Sequence, residues 1–423
     1  MSSPYSAILL LTINLGLLWL LMAAPVGTRT LRVSRRFSHA AERLWSAVDP
    51  TGAEADWHHN ILSSRQLPER PGVIEQIHRN LDRKGRPIRR LLAVQPWGQP
   101  DGGVSYGYIA TVVDDSALDI RFWRHFRERR EIVATADGAA LTVEQTDTYR
   151  GFAFLIFRYF MLRREMRAFE GWLNTGHSTP NGVFEHPLMQ IMLAVLSTVL
   201  LWPFFGLNQA GLMISIFLTL VIVLHELGHL AAYRTFGHGK VRMIFIPLLG
   251  GVAIGGRPYN SLFEVATCAL MGPGMSAFLV PLLIAAIDAS QVGWLPAEGR
   301  GPFLVFLLIL GAFNLLNLLP MYRFDGGQVL RQIFTQRSSL IGGSFIVTIA
   351  ILTVGWSIGL TANALLAALA VFTLLSLIGF GSIKPRDELE KMSTRERMLV
   401  AFGLYAAVGM HAYAVIYAGQ ALF

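Results

Sequence analysis

The sequence predicts a polytopic α-helical membrane protein of about eight transmembrane helices, with an α+β domain inserted after the first of them. Three observations lead there. Of 423 residues, 53% are hydrophobic and only 15% charged, whereas a soluble domain carries about a quarter charged residues. The apolar residues gather in blocks of the length, about 20 residues, that crosses a bilayer as a helix. Residues 27–175 interrupt those blocks with a mixed composition.

The blocks lie near 5–24, 188–207, 210–235, 262–287, 302–321, 340–360, 362–380 and 398–418. Residues 1–26 read as a retained membrane anchor, because Met1 to Ser6 contains no Lys or Arg and so lacks the charged start of a signal peptide. Basic residues follow the first, third, fifth and seventh blocks: Arg29, Arg32, Arg35 and Arg36; Arg234, Lys240 and Arg242; Arg323, Arg331 and Arg337; Lys384, Arg386, Lys391, Arg395 and Arg397. The loops on the other side hold only Arg300. Since cytoplasmic loops carry the positive excess, a multi-pass protein of the cell membrane is expected, with residues 27–187 in the cytoplasm and both termini outside. The net charge of +8 is explained by these loops and calls for no nucleic acid. The single cysteine, Cys268, excludes an intramolecular disulfide and a cysteine zinc cluster, and reads as a small packing residue.

Within 27–175, Leu31 to Arg35 alternates as a strand, and Ser38 reads as the N-cap of a short helix carrying Leu44 and Trp45. Strand-like runs follow at 72–78, 88–94, 104–113, 117–123, 131–136 and 141–149, the last two flanking the hairpin signal Asp137-Gly138. A helix over 152–173 closes the domain; its first half is very apolar but meets Arg158 too soon to span. Strand, short helix, antiparallel strands and long helix is the order of the helix-grip fold, and the stretch resembles the START-like, polyketide-cyclase-like superfamily. That resemblance implies a sheet wrapped around a long helix with an apolar cavity, and so a small ligand or lipid. The alternative is a packed regulatory domain, with Trp45, Trp57 and Trp123 in its core. Residues 176–187 are a linker, 188–335 a membrane core, and 336–423 the C-terminal transmembrane helices.

The third block ends in Leu224-His225-Glu226-Leu227-Gly228-His229. At i, i+4 on a helix two imidazoles share one face and can bind one metal ion. Glu226, one residue on, can reach a water that the metal activates. The plain alternative is two core histidines and a surface glutamate. Ionisable residues inside a membrane helix cost several kcal/mol unless partnered and mark functional sites, which favours the metal.

A catalytic zinc needs a third protein ligand. The fifth block ends Asn314-Leu315-Leu316-Asn317-Leu318-Leu319-Pro320, followed by Asp325-Gly326-Gly327. Pro320 should stop the helix, and the glycines should let the chain turn tightly after Asp325. The third and fifth blocks run in the same direction, so Asp325 and His229 come to the same depth. His238 is a rival third ligand, whose plain reading is a loop histidine; His186 and His411 have no motif around them.

The two motifs in this order, His225-Glu226-x-x-His229 and Asn317-x-x-Pro320-x-x-x-x-Asp325-Gly326-Gly327, resemble the motif pair of the site-2 protease family over roughly 188–335. The resemblance implies one catalytic zinc ion held by His225, His229 and Asp325, Glu226 as general base, and Asn317 holding substrate or the developing oxyanion, with Asn314 competing for that role. Met271-Gly272-Pro273-Gly274 is similar to the family's small-Gly-Pro motif, with Met271 where a smaller residue is usual.

Residues 241–258, apolar and split by glycine pairs, read as a re-entrant hairpin whose strand edge could pair with an unwound substrate. The expected function is therefore zinc-dependent intramembrane endopeptidase acting on a transmembrane protein or peptide, in regulated intramembrane proteolysis. Two other readings compete: a metallohydrolase of non-peptide amphiphiles, and a ligand- or lipid-sensing membrane protein without catalysis.

Overall fold

The computed structural model describes residues 16, 19–21, 23–51, 54–98, 105–177, 186–246, 250–377 and 385–423. The first apolar block, 5–24, falls mostly outside them. The chain divides into two compact units, Met1–Pro180 with Leu377–Glu388, and Asn181–Ser376 with Leu389–Phe423.

The first unit is built on a seven-stranded sheet, β1 (Pro25–Phe37), β2 (Ile61–Gln66), β3 (Val73–Leu81), β4 (Pro87–Trp97), β5 (Ser105–Asp115), β6 (Arg127–Thr135) and β7 (Gly138–Arg150). Their order is β1-β7-β6-β5-β4-β3-β2, and every pairing is antiparallel. Helices α1 (Ala41–Val48) and α2 (Glu54–Trp57) follow β1, and α3 (Phe152–Thr175) follows β7. This is a helix-grip-like arrangement. The core joins Phe37, Leu44, Trp57, Tyr106, Ile132, Leu141 and Phe169, and each such side chain fully buried contributes about 1.5–3 kcal/mol. Trp57 belongs to it and donates its indole N–H to the Ala47 carbonyl at 2.7 Å. Trp45 is only partly buried against it.

Three local readings need correction. The N-cap of α1 is Ala40, in extended conformation and with no side-chain cap, so Ser38 does not start the helix. Residues 120–123 form a 3-10 turn: the Asp119 carboxylate accepts the Arg121 amide at 2.9 Å and closes the backbone locally. Strand β2 went unread because Leu62-Ser63-Ser64-Arg65-Gln66 has little apolar alternation, as suits a solvated edge strand. A further piece comes from far along the chain. Pro385 bridges to Leu118, Arg386 reaches Asp114 at 2.7 Å, and Asp387 accepts from Arg83 through its carbonyl at 2.8 Å and pairs with Lys84 at 2.9 Å.

In the second unit, six helices among the described residues are long and apolar enough to cross a membrane: Pro187–Phe205, Gln209–Thr235, Leu262–Gln291, Ala297–Asn317, Arg337–Ser357 and Thr394–Leu422. Within the expected seventh block the described residues form an apolar helix, Ala362–Leu377. The eight expected spans are thus six among the described residues. The elements that build the site are α4 (Pro187–Leu201), α5 (Gln209–Thr235), α6 (Leu262–Ala277), α7 (Leu279–Gln291), α8 (Arg300–Asn317) and α9 (Asp325–Ile333). Between α5 and α6 lies the antiparallel pair β8 (Arg242–Ile246) and β9 (Gly250–Ile254). The C-terminal helix Thr394–Leu422 opens with a capping box of Ser393 and Glu396.

Candidate metal centre

His225 and His229 lie one turn apart on α5, with Glu226 beside them; all three are buried or nearly so, and their ligand atoms lie within 4.8 Å of one another. Asp325 is closer still to both imidazoles. Its Oδ2 is 3.0 Å from His225 Nε2 and 3.5 Å from His229 Nε2, and the two Nε2 atoms are 3.1 Å apart.

Which of these atoms carry protons follows from their other partners. His229 Nδ1 lies 2.6 Å from the Cys268 carbonyl oxygen, which can only accept, so Nδ1 carries the proton and Nε2 a lone pair. The Asn314 amide donates to the Leu310 carbonyl at 2.8 Å, which fixes its orientation and turns Oδ1 toward His225 Nδ1, also at 2.8 Å. His225 therefore has the same tautomer. Two lone pairs and a carboxylate oxygen then face one another in a buried site with no donor among them. Such a set calls for a cation, and three N/O ligands with outer-sphere partners on both histidines match what a catalytic zinc takes. Glu226 points elsewhere: its Oε2 accepts the Ala253 amide of β9 at 2.8 Å.

Small residues make this convergence possible. A Cβ on Gly272 of α6 would stand 2.5 Å from His229 Nε2 and 2.7 Å from His225 Nε2. One on Gly228 would overlap the Met271 carbonyl, and one on Gly251 of β9 the Glu226 side chain. Gly326 and Gly327 do not turn the chain after Asp325. They are the second and third residues of α9, directly after Asp325, and their bare Cα atoms let that helix lie against the carbonyls of Leu318 and Met321, which holds Asp325 at the histidines. Helix α8 ends at Asn317, ahead of Pro320.

A cavity of about 330 Å³ opens beside the site, lined by His225, Glu226, Asn317, Phe313, Gly251 and Ile222 among others. Asn317 thus faces the space next to Glu226, while Asn314 holds His225. His238 is not part of the cluster: its Nε2 is 2.6 Å from Glu264 Oε1, and Arg257 lies 3.1 Å from the same oxygen. His186 caps α4, and His411 is buried with Nε2 2.8 Å from the Pro273 carbonyl.

No known-family profile matches the chain. A stretch of 126 residues, 30% of this chain, is 33% identical to a Synechocystis sp. protein named "Putative zinc metalloprotease". The similarity is to a metalloprotease. It spans 32% of that relative's length. Among solved structures, Ara h 8.0201 aligns over 35% of this chain and 99% of its own at 14% identity and a TM-score of 0.27. A START superfamily protein from Mycobacterium smegmatis aligns over 36% and 99% at 14% identity and a TM-score of 0.25. The metalloprotease similarity, the paired motifs and the apolar helices are consistent with one another.

The groups that sequence reasoning missed act through the backbone. The Cys268 carbonyl and the Ala253 amide carry no mark in a side chain, and Cys268 read only as packing. Asn314 did have a signal, an amide one turn before Asn317 in an otherwise apolar helix.

The first unit holds a second cavity, of about 340 Å³. Its lining mixes charged side chains with apolar ones such as Ile88, Leu92, Val112 and Phe126. Buried Arg130 pairs with Glu54 at 3.2 Å, Glu128 at 2.7 Å and Glu165 at 3.0 Å. Burial, opposed by Arg130, pushes the Glu54 carboxyl up to about 7. Burial, aided by Arg90, pulls the His78 imidazole down to about 4. His58 Nδ1, His78 Nε2, Trp123 Nε1 and Gln145 Oε1 are buried on residues lining the cavity, without a hydrogen-bond partner among the described residues. Trp123 is therefore a cavity wall, half-buried beneath the Arg90 guanidinium at 4.3 Å, rather than core.

Proposed function

We propose that the chain is a zinc-dependent endopeptidase of the site-2 protease type, cutting peptide bonds of membrane-embedded substrates. The observation that carries the reading is the meeting, as acceptors only, of His225 and His229 on a helix of membrane-spanning length with Asp325 at the start of the short helix α9, beside Glu226. On this reading those three residues hold one zinc ion. Bound there, zinc would act as a Lewis acid and bring the pKa of a water to about 7.

Glu226 then takes the proton of the attacking water and returns it to the leaving amine. Asn314 and the Cys268 carbonyl keep both imidazoles in the ligand tautomer. Asn317, at the cavity, holds the substrate or the oxyanion. The hairpin gives a reason why the substrate should be a peptide. The Ala253 amide at the outer edge of β9 donates to Glu226, and the Phe245 amide of β8 donates to Gln190 on α4 at 2.5 Å; neither edge is free. A substrate strand pairing with β9 would take over the Ala253 N–H through its own carbonyl and so release Glu226 for proton transfer.

The loop charges support a cytoplasmic position for residues 27–187 and for the metal end of the helices. The unpaired donors and acceptors of the first unit's cavity support a small polar ligand, which would join peptide binding to ligand sensing.

The test is metal analysis of the purified chain and an assay against model transmembrane peptides, with Glu226→Gln as control. One zinc per chain and cleavage that the control loses are expected. Hydrolysis of an amphiphilic ester without peptide cleavage would favour the non-peptide hydrolase, and zinc without any hydrolysis the sensor.

A further inference from the structure

Helix α3 has two unlike halves. All its buried residues, Leu162, Met166, Phe169 and Leu173, come after Phe160 and join the core of the sheet. In the first half, Phe152, Phe154, Ile156, Phe157, Tyr159 and Phe160 are exposed, Phe157 by 63% and Phe160 by 56%. At 100° per residue these six spread over about 220° of the helix, and the half-buried Leu155 lies in the remaining gap, so the segment is apolar on every side rather than along one stripe. A helix apolar all round is stable only where its surroundings are apolar too.

The place of this half-helix says what those surroundings are. Pro25 pairs with Arg150 at the corner where β1 begins and β7 ends. The Gly151 amide donates to the Ala24 carbonyl at 2.8 Å, and the Ala24 amide in turn to the Trp19 carbonyl at 2.9 Å. Trp19, Leu20 and Leu21 are helical and 40–47% exposed, at the end of the first apolar block. The exposed start of α3 thus leaves the same corner as the end of that block. Arg163 and Arg167 follow within the helix, both exposed, Arg163 with its guanidinium 5.8 Å from the Tyr159 ring centre, while Arg158 and Arg164 line the first unit's cavity. Aromatic rings with arginines one or two turns on is the composition that lies at a lipid headgroup boundary.

We propose that Phe152–Phe160 is a monotopic membrane element, seated in the headgroup and upper acyl region of the bilayer beside the first apolar block, with Arg163 and Arg167 at the phosphates. It neither spans nor docks on a protein. This inference stands apart from the metal centre and holds whatever that centre does.

The test uses the full chain, in a Cys268→Ser background, reconstituted in phosphatidylglycerol and phosphatidylcholine vesicles. Single cysteines replace Phe157, Phe160 or, as a control on the sheet, the exposed Leu62, and carry an environment-sensitive fluorophore. At Phe157 and Phe160, quenching by nitroxide on the upper acyl chain, about 5–10 Å below the headgroups, should exceed quenching by aqueous iodide at least twofold, with the reverse at Leu62. Iodide quenching at Phe157 equal to that at Leu62 would overturn the proposal. So would protection from both quenchers, which would mean that a protein covers the patch.

Discussion

His225 and His229 each give one nitrogen to an outer partner and turn the other inward, so the fate of the site depends on single atoms. On the proposed roles Glu226→Gln removes a base and no ligand; zinc content should stay at one per chain while peptide cleavage is abolished. Asp325→Ala leaves two imidazoles, and zinc should be lost on mild chelation, whereas His238→Ala, which breaks the contact with Glu264 and the ring contacts with Tyr233 and Tyr259, should keep it. Full zinc occupancy in Asp325→Ala would remove Asp325 from the site. The histidine pair and Glu226 were legible from spacing alone, and Asp325 from its depth, because side-chain chemistry repeats with helical geometry. The Ala253 amide was not, because every residue but proline has one.

In the first unit, Glu54 and His78 set opposing slopes of stability with pH. Glu54, raised to about 7, contributes stability that is complete below its unfolded value of 4.5 and lost as pH rises through 7. His78, lowered to about 4, contributes stability present above 6.5 and lost as pH falls through 4. Between pH 4.5 and 6.5 the two nearly cancel, each limited to about 1.4 kcal/mol per pH unit. Glu54→Gln removes one slope, so the variant should gain stability with rising pH across that window. Amide exchange of β3 to β5 in the full chain measures it, and equal slopes in both proteins would contradict the assignment.

Among elements, the close approach of α6 to α5 rests on the absence of a methyl group. Gly272→Ala should weaken zinc binding by at least about tenfold, on the scale of lost outer-sphere support, with helix content unchanged in circular dichroism. Retained affinity would show that the helices can part. Ala253→Pro deletes the amide that meets Glu226, and peptide cleavage should fall steeply while zinc remains; unchanged cleavage would exclude strand pairing at β9. The hairpin was readable because glycine pairs break an apolar run that is too short to span. Strand β2 and the turn at Ile120–Trp123 were not, since an edge strand needs no alternation, and a local Asp119 cap outweighs the strand preference of Ile120 and Phe122. Asp325-Gly326-Gly327 looked like a turn for the same reason that it packs: bare Cα atoms serve both ends, and only the neighbouring carbonyls decide.

At the scale of the whole molecule, composition and block length sufficed for a chain of membrane-length apolar helices together with an α+β domain, while the orientation rests on loop charge. A cysteine at the exposed Ser63, in a Cys268→Ser background, should resist an impermeant thiol reagent in intact cells and react after lysis; ready labelling of intact cells would reverse the topology. The segment Pro385–Glu388 was read as a mere connection, because no local pattern reveals a partner 304 residues away. That separation also sets a timetable. A ribosome adds about 5–20 residues per second, so Arg83 and Lys84 emerge some 15–60 seconds before Asp387 exists. During that interval five of the six membrane-length helices are made while the earlier domain waits with a basic turn lacking its last counter-charge. Any early release or truncation ahead of residue 385 therefore yields an N-terminal domain that is folded along its sheet and unfinished at one edge.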